Sequence, residues 1–589
     1  MASGLLLTLS RGGMLSFIAA MLVMTIIAGT NQHLKRKLWL IAIIAGFIVI
    51  TVMWLGATPI IEKFLTIKAE IMSQYFGGRF PIWEGTFNLI KGHLLQGTGL
   101  GTFNHVFPQY QPSEIGMKHY TYAHSDILEL VAETGVLGTL IVAGGVVWLI
   151  HYFSTMMKMQ HEPWRLAMSL GLMGSFASIM VHSLVDFNLK IPSHAILLMI
   201  IVALAINVLG TNISLKHRTP KLKKLKPLVL IGGFLLCGLF VIQSIRPALA
   251  DYYANADSNE DTMLKKAISL DPLNAEYYYQ RGILQFDAAY SHDSVEQIQT
   301  ELENAISSFT QAVTMNRFNS KYHQSLAWTY GQLSRLTQEI PGNHDQHHKR
   351  TVIQSAHHHF KQAIKLEPEN PYRYRAYAHW LFEQHDPEDI ARGVTVYREA
   401  IKRDPKLISE ALQRYFEIEK KYSNLKLILP DNARNHARVM EMLLHKGLWD
   451  SNIEDFKTDM RTAASPYYYA KTVSNYYLKK NDIRRSLNVL LDYTRQDPDC
   501  ADAYFTIADR IVYAGGDQPY ATEDIKKYYE KSLSLDPDND FYRWWYAVYL
   551  FRTDEYAEAE RHFTRLISSN PKYIEKIALL KKTGGAQAE

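Results

Sequence analysis

The sequence predicts an all-α protein: a polytopic bundle of membrane helices broken by one long periplasmic loop, followed by a water-soluble α-solenoid. Three observations carry this. The long apolar runs are confined to about the first 250 of the 589 residues. A polar stretch from about Thr58 to Gly135 is far longer than the usual connection between spans. A pattern of small, aromatic, small and proline residues recurs from about Asp251 onward. Hydrophobic residues make up 47 % of the chain, but that figure averages two solvents.

The apolar runs are Met14–Thr30, Leu38–Ala57, Val136–Phe153, Leu166–Val185, Ile191–Gly210 and Pro227–Ala248. Each approaches the roughly 20 residues that cross a hydrocarbon core. None has the short apolar core and small-residue cleavage site of a signal peptide. The short loops set the orientation. Lys35, Arg36 and Lys37 lie in one, and Lys216, Arg218, Lys221, Lys223, Lys224 and Lys226 in another. Basic loops stay in the cytoplasm, so the 58–135 loop and the C-terminal half face the other side, the periplasm of a bacterial inner membrane. The basic cluster before the last span is read as a topology anchor meeting anionic lipid, not as a nucleic-acid site. The net charge of +5 is largely made of these anchors. The two cysteines, Cys237 and Cys500, fall in different halves and offer no disulfide framework or thiolate metal site.

The loop carries the candidate chemistry. It reads GGRFPIWEGTFNLIKGHLLQGTGLGTF from Gly77 and YAHSDILELVAETGVLG from Tyr122. Arg79 presents a planar fork that suits phosphate oxygens and stays charged; otherwise it snorkels to headgroups. Trp83 stands one turn on. Gly97, Gly99 and Gly101 form GTGLG, either a backbone cradle for phosphate or a tight turn; without a following Lys-Ser/Thr it is no nucleotide loop. His124 opens a helix that Ser125 or Asp126 caps. It is placed either to take a proton from a hydroxyl near neutral pH or simply to pack. Arg11, in LSRGG, falls on the same face as a second phosphate ligand. His182 and Asp186 end the fourth span there and read as polar structure at the interface.

In the C-terminal half, offsets 0, 4, 7 and 12 carry the repeat. Ala356, Phe360, Ala363 and Pro368 fit it, as do Gly393, Tyr397, Ala400 and Pro405. Ala559, Phe563, Leu566 and Pro571 nearly do, and Ala305, Phe309 and Ala312 are followed by Arg317 where proline is expected. Weaker copies end at Pro272, Pro498 and Pro537. The step from Pro537 to Pro571 is 34 residues. This is the tetratricopeptide pattern: small residues let two helices approach, the aromatic fills the gap, and proline stops the second helix. Insertions at Ser291–Thr300 and Gln338–Thr351 stretch two copies, and Lys406–Asn481 reads as degenerate repeats. Stacked repeats make a concave surface that fits a protein partner. His344, His347 and His348, then His357, His358 and His359, are placed on polar repeat helices. No carboxylate or cysteine beside them completes a metal set, so no metal or cofactor is expected.

In order and spacing, LSRGG, then Arg79 and Trp83, then GTGLGTF, then AHSDILELVAETGVLG resemble the O-antigen ligase, polysaccharide polymerase and O-oligosaccharyltransferase superfamily. The resemblance covers about Thr8–Phe187 and implies a metal-independent glycosyltransferase. The donor would be an undecaprenyl-diphosphate-linked glycan, and the acceptor a hydroxyl on a glycan, lipid or protein. Some members carry a C-terminal tetratricopeptide domain. Carried over residue by residue, catalysis falls to His124 and Arg79, and substrate binding to Arg11, Arg79 and Trp83. Two departures stand out. The family usually has asparagine where this chain has Ser125, and ten or more spans where this chain offers six. The chain opens at MASGLLLTLSRGG and is read as N-terminally incomplete. Residues 1–250 form the expected transferase domain and 251–589 the repeat domain. The competing expectation is a non-catalytic, membrane-anchored scaffold for envelope glycan assembly.

Overall fold

In a computed structural model, the described residues are 10–30, 46, 79–210, 220–255, 261–339, 346–461, 467–513 and 522–583. Among them every regular element is helical. Contacts divide the chain into two units, Met1–Trp380 and Leu381–Glu589.

The first unit holds the apolar helices. α1 (Arg11–Thr30), α3 (Asp126–Met159), α4 (Pro163–His182) and α5 (Pro192–Gly210) flank a short loop helix, α2 (Arg79–Gly92). Among the described residues, four segments are long and apolar enough to cross a membrane: Gly12–Gly29, Asp126–Met159, Pro163–His182 and Pro192–Leu209. They coincide with four of the expected runs. The run Leu38–Ala57 lies outside the described residues apart from Gly46, and Pro227–Ala248 falls inside α6 (Pro220–Ala254). The outward faces of these helices stay apolar: Ile141, Trp148 and Met199 are each more than half exposed. That is the pattern of a surface solvated by lipid.

α1 and α4 run antiparallel at close range. A side chain at Gly174 would collide with Met24, and one at Gly12 would press on His182 and Val185 at 3.1 Å. Ala28 and Leu166 close the far end. The mouths of α1 and α4, where Ser10 Oγ accepts the Gly13 N–H at 3.1 Å, are thereby brought to one place.

α3 is two helices. Gly135 breaks it with φ 65° and ψ −174°, leaving an amphipathic first segment and an apolar second one that starts at the expected boundary. The GTGLG turn docks on this break. The N–H groups of Thr98 and Gly99 reach the carbonyls of Ala132 and Glu133 at 3.0 and 2.8 Å, and the Val136 N–H reaches Leu94 O at 2.8 Å. A Cβ at Gly97 would lie 2.3 Å from Glu133 O, and one at Gly135 2.3 Å from Leu95 O. These glycines permit two backbones to touch. Because those amides are spent on carbonyls, the turn reading of GTGLG holds and the phosphate-cradle reading does not. Ile82, Leu89, Phe103, Phe107 and Ala132 form the loop's own core.

The solenoid follows the repeat pattern. In the first unit, α7 (Asp261–Leu270) leads to α8 (Ala275–Ala289) with α9 (Val295–Met315), and α10 (Ser320–Glu339) with α11 (Gln346–Leu366). Ala305 and Ala312 are fully buried on α9, and Phe309 fills the gap against Gly282 of α8. Ala356, Phe360 and Ala363 do the same on α11. The insertions extend α9 back to Val295 and α11 back to Gln346. α12 (Pro371–Glu383) begins on the second proline of EPENP. Phe318, from the copy that carries Arg317 in place of proline, packs against the loop core. Asn316 Nδ2 also lies 3.4 Å from His105 Nδ1 of the loop.

In the second unit, Gly393, Tyr397 and Ala400 are buried on α13 (Pro387–Arg403). Short helices α14 (Ile408–Ile418), α15 (Ala433–His445) and α16 (Ile453–Arg461) occupy the degenerate stretch. Regular pairs resume with α17 (Tyr467–Lys479) and α18 (Ile483–Gln496), α19 (Ala501–Tyr513) and α20 (Thr522–Leu535), and α21 (Asp540–Arg552) and α22 (Tyr556–Ser569), before α23 (Tyr573–Lys582). Each expected proline stop, at 272, 368, 405, 498, 537 and 571, sits one or two residues past a helix end.

Candidate active site

Three segments meet at the mouth of the bundle: the start of α2, the residues before α3, and the 183–191 turn between α4 and α5. Arg79 opens α2. Its Nη1 donates to Val185 O at 2.6 Å, and Nη2 lies 3.6 Å from Asp186 Oδ2. The side chain is 35 % exposed. Of its five N–H donors, one is taken by Val185 and Nη2 faces Asp186. Trp83, one turn along α2, donates its indole N–H to Ala123 O at 3.0 Å. It therefore braces the residue next to His124, and its ring face is what it leaves for a substrate.

His124 takes φ 53°, a left-handed conformation that a Cβ disfavours. Such strain persists only where the surroundings over-determine it. The imidazole lies edge-on to Phe187 at 5.2 Å, and Phe187 stacks on Tyr122 at 4.7 Å. Its Nδ1 is buried and makes no hydrogen bond among the described residues. Burial pushes the His124 pKa below the ordinary 6.5, the Arg79 charge pushes it further the same way, and Asp186 opposes them. Each effect has a physical sign: burial and a nearby cation disfavour imidazolium, and a carboxylate favours it. His124 is thus neutral at pH 7.

Ser125 is the N-cap of α3, its Oγ accepting the Leu128 N–H at 3.3 Å. Asparagine, the usual family residue, caps equally well, so this departure preserves the local geometry. Asp126 points elsewhere: its Oδ2 accepts the Leu189 N–H at 2.9 Å.

Arg79 and His124 therefore meet the same 183–191 turn, and Trp83 holds the residue before His124. Arg11 begins α1, whose next residue, Gly12, lies against His182 and Val185; the Arg11 side chain is outside what is described. Asp186 is more than interfacial polar structure, because it faces both Arg79 and, at 3.8 Å, His182 Nε2. Sequence reasoning did not single out Glu129, Glu133 and Lys190. The two carboxylates are 1 % exposed, and Lys190 Nζ pairs with Glu129 Oε1 at 2.8 Å and Glu133 Oε2 at 3.0 Å. The available signal was the placement of Asp126, Glu129 and Glu133 along one face of an otherwise apolar helix.

Two of the solenoid histidines pack against neighbouring rings. His357 Nδ1 meets Tyr377 OH at 2.9 Å, and His359 Nδ1 meets His323 Nδ1 at 2.9 Å. His344 lies outside the described residues. Among the described residues no group of three His, Cys, Asp or Glu side chains converges as metal ligands do.

Residues 1–143 match the model of the O-antigen ligase family. The match takes in Arg11, Arg79, Trp83 and His124, and for that segment it supports glycan transfer or polymerisation in general. No curated protein is significantly similar to the chain. Among solved structures, yeast Tom70 is 13 % identical, covers 75 % of this chain and 89 % of its own, and has a TM-score of 0.25. The human IFIT1 dimer with PPP-AAAA is also 13 % identical, over 53 % of this chain and 72 % of its own, with a TM-score of 0.20. Scores this low assign no fold; the solenoid rests on its own helix pairs.

Proposed function

We propose that the chain transfers or polymerises an undecaprenyl-diphosphate-linked glycan onto a hydroxyl of a glycan, lipid or protein at the periplasmic face of the bacterial inner membrane. One observation carries the reading: Arg79 and a neutral, strained His124, both inside the segment matched by the O-antigen ligase family, pack against the same 183–191 turn. Residues 1–250 supply the transferase part and 251–589 the repeat part.

In this reading Arg79, helped by Arg11, clamps the donor diphosphate through forked contacts and displaces the long ion pair to Asp186. The clamp stabilises charge that develops as the bond between the anomeric carbon and the phosphate oxygen breaks. The acceptor oxygen forms the new bond to that carbon through an oxocarbenium-like transition state. His124 takes the proton released by the acceptor hydroxyl; with Nδ1 buried, Nε2 is the nitrogen left to do so. Trp83 holds Ala123 in register and offers its ring face to the donor. The fixed guanidinium charge supplies what a divalent cation does elsewhere, so transfer is expected to be metal-independent. The repeats recruit an acceptor or a protein of the assembly machinery.

The test is transfer from an undecaprenyl-diphosphate donor in membranes, with and without chelator. Arg79→Ala abolishes transfer, and Arg79→Lys restores little because an ammonium cannot make the forked contact. His124→Ala costs about 10²–10⁴ in rate, the usual worth of a general base. If both alanine variants are well expressed and keep normal transfer, the chain is a scaffold and this reading fails.

A further inference from the structure

The backbone at His124 is gripped from several sides. The Ala123 carbonyl takes the Trp83 indole N–H at 3.0 Å. The Ala123 N–H donates to Glu129 Oε2 at 2.9 Å, one turn into α3. Downstream, the Asp126 N–H is shared between Ser183 O at 2.9 Å and Asp186 O at 3.1 Å. Of these grips, the one from Glu129 is itself conditional. Glu129 is 1 % exposed and one helical turn from Glu133, which is equally buried. Two buried carboxylates so placed call for a cation between them, because taking an unpaired charge out of water costs several kcal/mol. Lys190 is that cation: it reaches Glu129 at 2.8 Å and Glu133 at 3.0 Å. Glu133 in turn accepts the Phe103 N–H at 3.2 Å, which ties the far side of the loop to the same charge. Lys190 also lies on the 183–191 turn that carries Val185, Asp186 and Phe187 against Arg79 and His124.

We propose that Lys190 is a positioning residue for glycan transfer: by keeping Glu129 ionised and aimed at the Ala123 N–H, it locks the left-handed backbone that presents His124. This rests on the reading of His124 as proton acceptor. Without Lys190, Glu129 protonates or turns away, the Ala123 N–H loses its partner, and His124 relaxes towards ordinary backbone. Displacement of a reacting group by about 1 Å costs on the order of 10²-fold in rate, so Lys190→Met lowers kcat by roughly 10- to 100-fold. Lys190→Arg, which retains the charge, recovers part of it.

A double-mutant cycle separates this role from general stabilisation, because coupled residues are non-additive and independent ones add. Full-length wild type, Lys190→Met, His124→Ala and the double variant are compared in membranes at equal protein level, with undecaprenyl-diphosphate-linked glycan as donor. Lys190→Met is expected to slow the wild type 10-fold or more, yet change the residual rate of His124→Ala by less than about twofold. An equal loss in both backgrounds, or no loss in the wild type, overturns the proposal. Should Lys190→Met fail to reach the membrane, Glu129→Ala takes its place in the same cycle, since it removes the acceptor of the Ala123 N–H directly and is expected to cause the same loss. If His124→Ala itself transfers normally, it is the assignment of the base that has failed, and the cycle reports that separately.

Discussion

In the solenoid, close approach is achieved with side chains. Ala305 and Ala312, or Ala356 and Ala363, bring two helices together, and Phe309 or Phe360 fills the remaining space. In the loop between α2 and α3, close approach is achieved with backbone. Gly97 and Gly135 touch through main-chain atoms, the amides of Thr98 and Gly99 close on the carbonyls of α3, and buried Glu129 and Glu133 hold backbone N–H groups. Apolar packing is forgiving of direction, so a repeat can be stretched, as α9 and α11 are. Hydrogen bonds and buried charges fix direction to a few tenths of an ångström, and a reacting imidazole needs that. The same chain thus spends non-directional contacts where it needs a surface and directional ones where it needs a site.

Substitutions in the two regions test this difference. The largest effect is expected for Gly135→Ala. A left-handed glycine with backbone 2.3 Å from the new Cβ has nowhere to move, and the break in α3 and the docked turn are both lost. Transfer falls by more than about 10²-fold, the order expected for a misplaced base, even where the protein is still inserted; normal activity in membranes shows that the turn does not shape the site. Phe360→Ala comes next. Phe360 is fully buried, and such a deletion destabilises by about 3–5 kcal/mol. The unfolding midpoint of the purified chain should drop, while the turnover of the molecules that remain folded stays near wild type. A matching loss of turnover means that repeat packing and the site are one mechanical piece.

Asp186→Asn sharpens the electrostatic side. A proton acceptor must be neutral, so transfer rises with pH through the His124 pKa, which burial and Arg79 already hold below 6.5. Asp186 is the group that raises it, so removing that charge moves the acid limb of the rate profile to lower pH; a limb that moves up refutes this assignment. The smallest effect belongs to the solenoid. Burial and the neighbouring His323 and His358 push the His359 pKa down to about 3. Because its folded value lies below the unfolded 6.5, this group's stabilisation is complete above pH 6.5 and is lost as pH falls from there towards 3. At pH 5.5 the loss is on the order of 1 kcal/mol. His359→Gln should flatten the dependence of the melting temperature on pH between 7 and 5.5, and an unchanged slope argues that the pair stays neutral by other means.

The repeats were legible because their rule is local: offsets of 4, 7 and 12 within one helix decide which residue meets the neighbour, and the proline marks the stop. Arg79 and His124 were legible because few side chains do their chemistry and both fall in one polar stretch. Lys190 and the buried pair were not, and Asp186 was read only as polar structure at the interface. They act across a turn more than fifty residues away from α3's first segment, and nothing local announces that a lysine between two spans will answer carboxylates on a distant helix. Arg317 was visible only as a missing proline; that its neighbour Phe318 plugs the loop core is a tertiary fact. The glycines of GTGLG gave the converse difficulty, since the residue pattern fits a ligand cradle and a backbone junction alike, and only the carbonyls opposite decide.

The left-handed backbone at His124 means that two ways of deleting its ring are not equivalent. Alanine keeps a Cβ and with it the steric penalty of about 1–2 kcal/mol for that conformation. Glycine removes the ring and the penalty together. A glycine variant should therefore keep the chain path and leave an imidazole-sized vacancy beside Phe187, which imidazole added to the buffer can enter to restore part of the rate. An alanine variant lets the backbone slide into the gap and is rescued less. The native histidine is thus held in a conformation that glycine prefers, at a cost in local stability.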